Sequence, residues 1–146
     1  MNNKTILLVE DNPSDIDLTK RAFEKGHINN NLIVAEDGQE ALDYIFGKGK
    51  YASRDANQLP VLILLDLKLP KIGGLEVLKI IRATEKIKRV PVVILTSSKE
   101  EQDVAASYDL GVNSYIRKPV DFNQFADAIK HLGLYWLVIN EPPPLI

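Results

Sequence analysis

The sequence predicts a doubly wound α/β domain: a five-stranded parallel sheet in the order 2-1-3-4-5 with five helices on its faces. Three observations predict it. Five short runs rich in β-branched and aliphatic residues recur along the 146-residue chain. Segments of helical length and amphipathic spacing separate them, which implies βαβ units, because parallel neighbours need a crossover connection of that length. The first, third and fourth runs are continuously apolar, as strands covered on both faces are.

Taken in order, the strand candidates are "TILLVE" (5–10), "NLIVAED" (31–37), "VLILLDL" (61–67), "VPVVILTS" (90–97) and "NSYIRKP" (113–119). The first helix opens in "DNPSDIDLTKRAFEKG", with Asn12 as N-cap, Pro13 at the first helical position, acids in the first turn and Gly26 as the stop. "GQEALDYIFG" sets Ala41, Leu42, Ile45 and Phe46 on one stripe. "GGLEVLKIIRATEKIK" does the same with Leu75, Leu78 and either Ile81 or Ile80, and is read as helical throughout. "KEEQDVAASYDLG" and "DFNQFADAIKHLGLYWL" supply the fourth and fifth helices. The connection "GKGKYASRDANQ" (47–58) is longer than such links usually are, and is expected to be an inserted surface loop.

A chain of this length suits a single domain that buries roughly two-thirds of its unfolded surface. Hydrophobic content of 45% and charged content of 26% are ordinary for a globular protein. A formal charge of −2 and the lack of any long Lys/Arg block argue against nucleic acid. The absence of cysteine removes disulfides and thiolate metal sites. No apolar run approaches the ~20 residues of a membrane span, and the N-terminus lacks the pattern of a signal peptide. A cytoplasmic protein is expected.

In open α/β sheets, ligands sit beyond the carboxyl ends of the strands, where strand order reverses. Strand 1 ends in Glu10 and Asp11, strand 3 in Asp66, strand 4 in Thr96 with Ser97 and Ser98, and strand 5 in Lys118 before Pro119. A lone aspartate at a strand end is ordinarily a turn former or a helix cap. Four strand ends supplying mutually compatible groups favour chemistry instead. Three carboxylates in one crevice repel and call for a hard divalent counter-charge, and magnesium takes such oxygen ligands. His27 and His131 fall near predicted helix ends away from the crevice, which argues against zinc. Such a metal, with a hydroxyl from Thr96 and the Lys118 ammonium, suits a phosphoryl group. Asp66, nearest the strand that delivers Thr96, is the expected nucleophile. Asp11 is then the principal metal ligand and Glu10 a ligand through water.

The landmarks "LLVEDNP", "LLDLKLPKIGGLEVL", "VPVVILTSS" and "YIRKP" cover nearly the whole chain, and with Glu10–Asp11, Asp66, Thr96 and Lys118 they resemble the receiver domain of two-component response regulators, a flavodoxin-like fold. The resemblance implies that Asp66 accepts a phosphoryl group from a phosphohistidine on a sensor histidine kinase. It implies Mg2+ held by Asp11, Asp66 and the backbone carbonyl of Lys68, with Glu10 in the outer shell. Thr96 would move to the phosphoryl group, Lys118 would pair with it, and Tyr115 would swing inward as Thr96 moves. Lys68, two residues past the acceptor, stands where the family varies; it would attract phosphodonors or shield the acyl phosphate from water.

Little more than a helix follows Lys118, so a single receiver domain over 1–146, with an extension from about residue 133 and no effector domain, is expected. In "LGLYWLVINEPPPLI" the apolar residues cannot all face one core from one helix, so part of that surface should meet another chain. With the long 47–58 loop, this extension resembles the small response regulators of bacterial phytochromes. That resemblance implies a light-sensing pathway, a phytochrome kinase as partner and a homodimer through the helix 4–strand 5–helix 5 face and C-terminal segment. Three rivals share parts of the pattern. An aspartyl-phosphate phosphatase would want a second carboxylate where Lys68 stands. A flavin module would want a glycine- and hydroxyl-rich loop where "EDNPSD" stands. A receiver-like interaction scaffold would need no phosphate at all.

Overall fold

The computed structural model describes residues 5–28, 30–97, 100–118 and 121–134. The elements run β1 (Thr5–Val9), α1 (Pro13–Lys25), β2 (Asn31–Ala35), α2 (Gly38–Phe46), β3 (Leu62–Leu65), α3 (Gly74–Ala83), β4 (Val92–Thr96), α4 (Glu101–Asp109), β5 (Ser114–Arg117) and α5 (Phe122–Leu134). The strands form one parallel sheet in the order β2-β1-β3-β4-β5, as the sequence predicts.

Alternation along each strand sorts the core into two layers. Leu7, Val9, Ile63, Leu65, Val92 and Ile94 face α2 and α3. Ile6, Leu8, Leu62, Leu64, Val93 and Leu95 face α1 and α5. β1, β3 and β4 are therefore buried on both sides, and that is why their sequences do not alternate in polarity. Each fully buried aliphatic side chain contributes about 1.5–3 kcal/mol relative to exposure.

Local signals set most helix ends. Asn12 caps α1, its side-chain oxygen accepting from the N–H groups of Ser14 (2.8 Å) and Asp15 (3.2 Å), with Pro13 next. Asp37 caps α2 by accepting from the Glu40 N–H at 2.7 Å, and Gly47 ends that helix in the left-handed region at φ 66°.

One reading needs correction. α3 stops at Ala83 instead of running to Lys88, and Val77, Leu78 and Ile81 form its buried stripe while Leu75 and Ile80 are half-buried. Thr84 turns extended, its hydroxyl donating to the Ile80 carbonyl at 2.7 Å. The next turns bury Ile87 and Val90, and the Arg82 guanidinium donates to the carbonyls of Lys88, Val90, Leu110 and Gly111. One side chain thus satisfies four carbonyls, two in the turns after α3 and two just past α4. The 47–58 link, for its part, is tied down. It forms a 3-10 turn (Gly49–Tyr51) whose Tyr51 hydroxyl donates to Glu40 at 2.7 Å and whose ring meets Tyr44 edge-on at 5.1 Å. Arg54 lies over the Tyr44 ring and donates to the Tyr44 and Gln58 carbonyls. The apolar tail from Tyr135 onward, with Ser98 and Pro119, lies outside the described residues.

Candidate functional site

All five strands end at one edge, and the ladder carries the acidic residues to it. The Glu10 N–H donates to the Ala35 carbonyl at 2.9 Å, and the Asp66 N–H to the Val9 carbonyl at 3.0 Å. Both residues are thus backbone-anchored one step past the last strand residue, at the point where winding reverses. On the far side the Lys118 N–H donates to the Thr96 carbonyl at 2.8 Å, which aims the lysine back across the edge. Behind Asp66 the chain turns through Lys71, at φ 67°, and returns as α3. Gly74 at the start of α3 packs so closely that a Cβ there would lie 2.2 Å from the Asp66 carbonyl oxygen.

Glu10, Asp11 and Asp66 each offer a carboxylate oxygen within 4.8 Å of the others. They line a cleft of about 610 Å³ that Asp15, Lys68, Ser97 and Lys118 also line. Glu10 and Asp66 are buried, 1% and 6% exposed, while Asp11 is open to solvent. The Lys118 ammonium contacts Asp15 at 2.7 Å, Glu10 at 2.9 Å and Asp66 at 3.3 Å. The Lys68 N–H donates to Asp66 Oδ1 at 3.2 Å, and the Asn12 N–H to Glu10 Oε2 at 3.3 Å.

Burial pushes the Glu10 carboxyl up to about 7, and the Asp66 charge adds to the rise against the pull of Lys118. Burial by itself would lower the Lys118 ammonium, but hydrogen bonds to Asp15 and Glu10 and the field of Asp66 outweigh it and raise its pKa. Two lysines, one of them the exposed Lys68, among four carboxylates leave the cleft with excess negative charge. A hard, oxygen-seeking divalent cation fits this donor set, and neither histidine lines the cleft.

Metal affinity should consequently depend on pH. A cation entering beside Glu10 favours its ionised form, so apparent affinity is expected to rise as pH increases towards about 7 and to level off above it. The same raised carboxyl stabilises the metal-free fold below its unfolded pKa, and that contribution is lost as pH rises through about 7. Calorimetric titration with magnesium across this range checks the first statement and chemical denaturation of the metal-free protein the second; Glu10→Gln should flatten both profiles, and unchanged profiles would contradict them.

The structure thus brings Glu10, Asp11, Asp66 and Lys118 together as the sequence predicts. Lys68 is at the cleft with its side chain exposed. Thr96 is the last residue of β4, as expected, and is fully buried, while Ser97 lies at the cleft lining. Tyr115 is half-buried on β5 and packs with the layer that faces α2 and α3. Its register partner is Ile94 while Thr96 pairs with Arg117, so Tyr115 and Thr96 share one face of neighbouring strands. Sequence reasoning missed Asp15, reading it only as an acid in the first turn of α1. The signal was available: the first turn of a helix that starts at the reversal point must overhang the crevice.

A sheet of this order with an acid pair, a central aspartate and a lysine at its carboxyl edge defines the receiver class of signalling domain. The family model for the response regulator receiver domain matches residues 6–130, and the chain belongs to that family. The response regulator Rcp1 of Synechocystis sp. is 40% identical over 134 residues, which cover 92% of this chain and 89% of that protein. The Mn(2+)-bound form of response regulator Rcp1 superposes with a TM-score of 0.84 at 38% identity, covering 97% of this chain and 99% of the other. The phosphorylated cyanobacterial phytochrome response regulator RcpA superposes at 0.86 with 40% identity and the same coverages. The bacteriophytochrome response regulator RtBRR is 52% identical with a TM-score of 0.79, over 97% of this chain and 84% of its own. Receiver domains serve generally as signalling modules rather than enzymes. Among the described residues no helix is long and apolar enough to cross a membrane.

Proposed function

We propose that this protein is a single-domain response regulator in which Asp66 accepts a phosphoryl group from a phosphohistidine of a sensor histidine kinase. The observation that carries the reading is the convergence of Glu10, Asp11 and the Lys118 ammonium on the Asp66 carboxylate at the sheet edge. An Asp66 carboxylate oxygen attacks phosphorus, the phosphorus–nitrogen bond breaks, and its electron pair returns to the imidazole. Lys118 balances charge on the phosphoryl oxygens, and the Lys68 N–H holds the carboxylate in place. Asp11, Asp66 and the Lys68 carbonyl would hold Mg2+ with Glu10 in the outer shell. When bound, the ion neutralises oxygens of the donor and of the acyl phosphate.

Phosphorylation adds charge and acceptor oxygens at Asp66, and the Thr96 hydroxyl gains by turning towards them. The shared face of Thr96 and Tyr115 supports the tyrosine ring as the element that fills the vacated space. The output is a contact that one state makes better than the other. A homodimer through α4, β5, α5 and the C-terminal segment is in keeping with Tyr108, a large apolar side chain on α4 that is 53% exposed. The phytochrome-associated names of RcpA and RtBRR support a light-sensing pathway with a phytochrome kinase as donor. The proposed setting is the cytoplasm, with no nucleic acid or membrane as partner.

Incubation with acetyl phosphate and magnesium followed by mass spectrometry tests the acceptor. One phosphoryl group on Asp66 is expected, and none on Asp66→Asn. An unmodified wild-type protein would leave only an interaction scaffold; an adduct that survives Asp66→Asn would reassign the acceptor. Phosphotransfer profiling against sensor kinases then identifies the donor.

A further inference from the structure

Lys118 does not lean on Asp66. Its shortest contact, 2.7 Å, is to Asp15, followed by Glu10 at 2.9 Å and Asp66 at 3.3 Å. An ammonium has three N–H donors, and here three carboxylates take all of them. Asp15 differs from the other two in position. It stands on α1 outside the group of oxygens suited to a metal, and its side chain is 28% exposed where that of Glu10 is 1% exposed. A cation bound by the Glu10–Asp11–Asp66 group therefore draws Glu10 away from the lysine and leaves Asp15 where it is. Its geometry is held independently, because Asn12 accepts from the Asp15 N–H at 3.2 Å and the Asp15 carbonyl accepts from the Thr19 hydroxyl at 2.8 Å.

We propose that Asp15 is a positioning residue that competes with the group carried on Asp66 for the Lys118 ammonium, and so sets how tightly this receiver holds a phosphoryl group. The inference rests on the reading of Asp66 as phosphoacceptor. Its sign follows from two effects that act together. Neutralising Asp15 frees one lysine donor for the phosphoryl oxygens, and it removes a fixed negative charge that repels an incoming dianion. Loss of positioning is small by comparison, because the Lys118 backbone N–H stays bonded to the Thr96 carbonyl at 2.8 Å.

The test uses beryllofluoride, a non-covalent mimic of a phosphoryl group on a carboxylate, titrated calorimetrically into the full chain at saturating magnesium. Asp15→Asn keeps shape and removes charge; Asp17→Asn, on the same helix and paired at an exposed site with Arg21, controls for net charge. Asp15→Asn is expected to bind about two- to fivefold tighter, the scale of one partly exposed ion pair. Asp17→Asn is expected to match the wild type, and the melting temperatures of all three to agree. Equal or weaker binding by Asp15→Asn, or an equal gain in Asp17→Asn, overturns the proposal. A wild-type protein that neither binds beryllofluoride nor gains a phosphoryl group from acetyl phosphate refutes the acceptor reading instead.

Discussion

Lys118→Met is expected to destabilise the metal-free protein by about 3 kcal/mol near neutral pH, the low end of what breaking a buried ion pair costs, because the cleft is partly open to water. The substitution keeps the apolar stem and removes the charge. Glu10 and Asp66, 1% and 6% exposed, then face each other and Asp15 with no ammonium between them. The Glu10 carboxyl, already raised by burial, then loses the ammonium that lowers it, so its folded pKa stands further above the unfolded one. Stability is then intact below the unfolded pKa and lost as pH rises through the folded one. Chemical denaturation should therefore show a deficit that shrinks on acidification. Magnesium should also recover more stability in Lys118→Met than in the wild type, because the ion supplies the missing positive charge. A deficit independent of both pH and magnesium would mean that Lys118 acts through packing alone.

Gly74→Ala is the second large effect. A Cβ at Gly74 would lie 2.2 Å from the Asp66 carbonyl oxygen and 2.6 Å from the Leu67 Cα, so α3 or the Asp66–Leu67 backbone must move. Neither obstacle is a side chain that can turn away. The cost should be about 3 kcal/mol, at the upper end for overpacking. The displaced acceptor should bind magnesium at least about tenfold more weakly, since a shift of roughly 1 Å is large for a metal or catalytic site. Gly73 is the internal comparison: its added Cβ would meet only the Leu67 carbonyl oxygen, at 3.9 Å, an ordinary contact. Thermal melts and calorimetric magnesium titrations of the two variants should differ sharply. Matching behaviour would show that the close approach of Gly74 does not hold Asp66 in place.

The strands, the cap at Asn12 and the meeting of Glu10, Asp11, Asp66 and Lys118 at one edge were legible because local rules govern them. Apolar runs, helix-start chemistry and parallel winding each leave marks within a few residues. The end of α3 was not legible. "ATEKIK" continues an amphipathic pattern, yet Thr84 turns extended, and Arg82 reaches the carbonyls of Leu110 and Gly111, nearly thirty residues away. The 47–58 link is the surface loop its glycines and polar residues suggest. Tyr51 and Arg54 nevertheless anchor it to α2 through hydrogen bonds and ring contacts that spacing does not encode.

At the site the same division holds. The run "VLILLD" by itself determined that a buried strand delivers Asp66 to the sheet edge, because an apolar strand in a two-sided sheet must end where its chain first meets water. The order of "ED", "D", "T" and "K" along the chain likewise determined which groups arrive there. Which of them touch was decided only by the tertiary structure. Thr96 is sealed beneath the edge while Ser97 reaches the cleft, and the Lys118 ammonium settles between Asp15, Glu10 and Asp66. The physical reason is that sequence sets where each backbone ends, whereas the partner of a long, charged side chain depends on every anion that folding brings within its reach, and the overhang that brings Asp15 there follows from the topology and not from the residues around it.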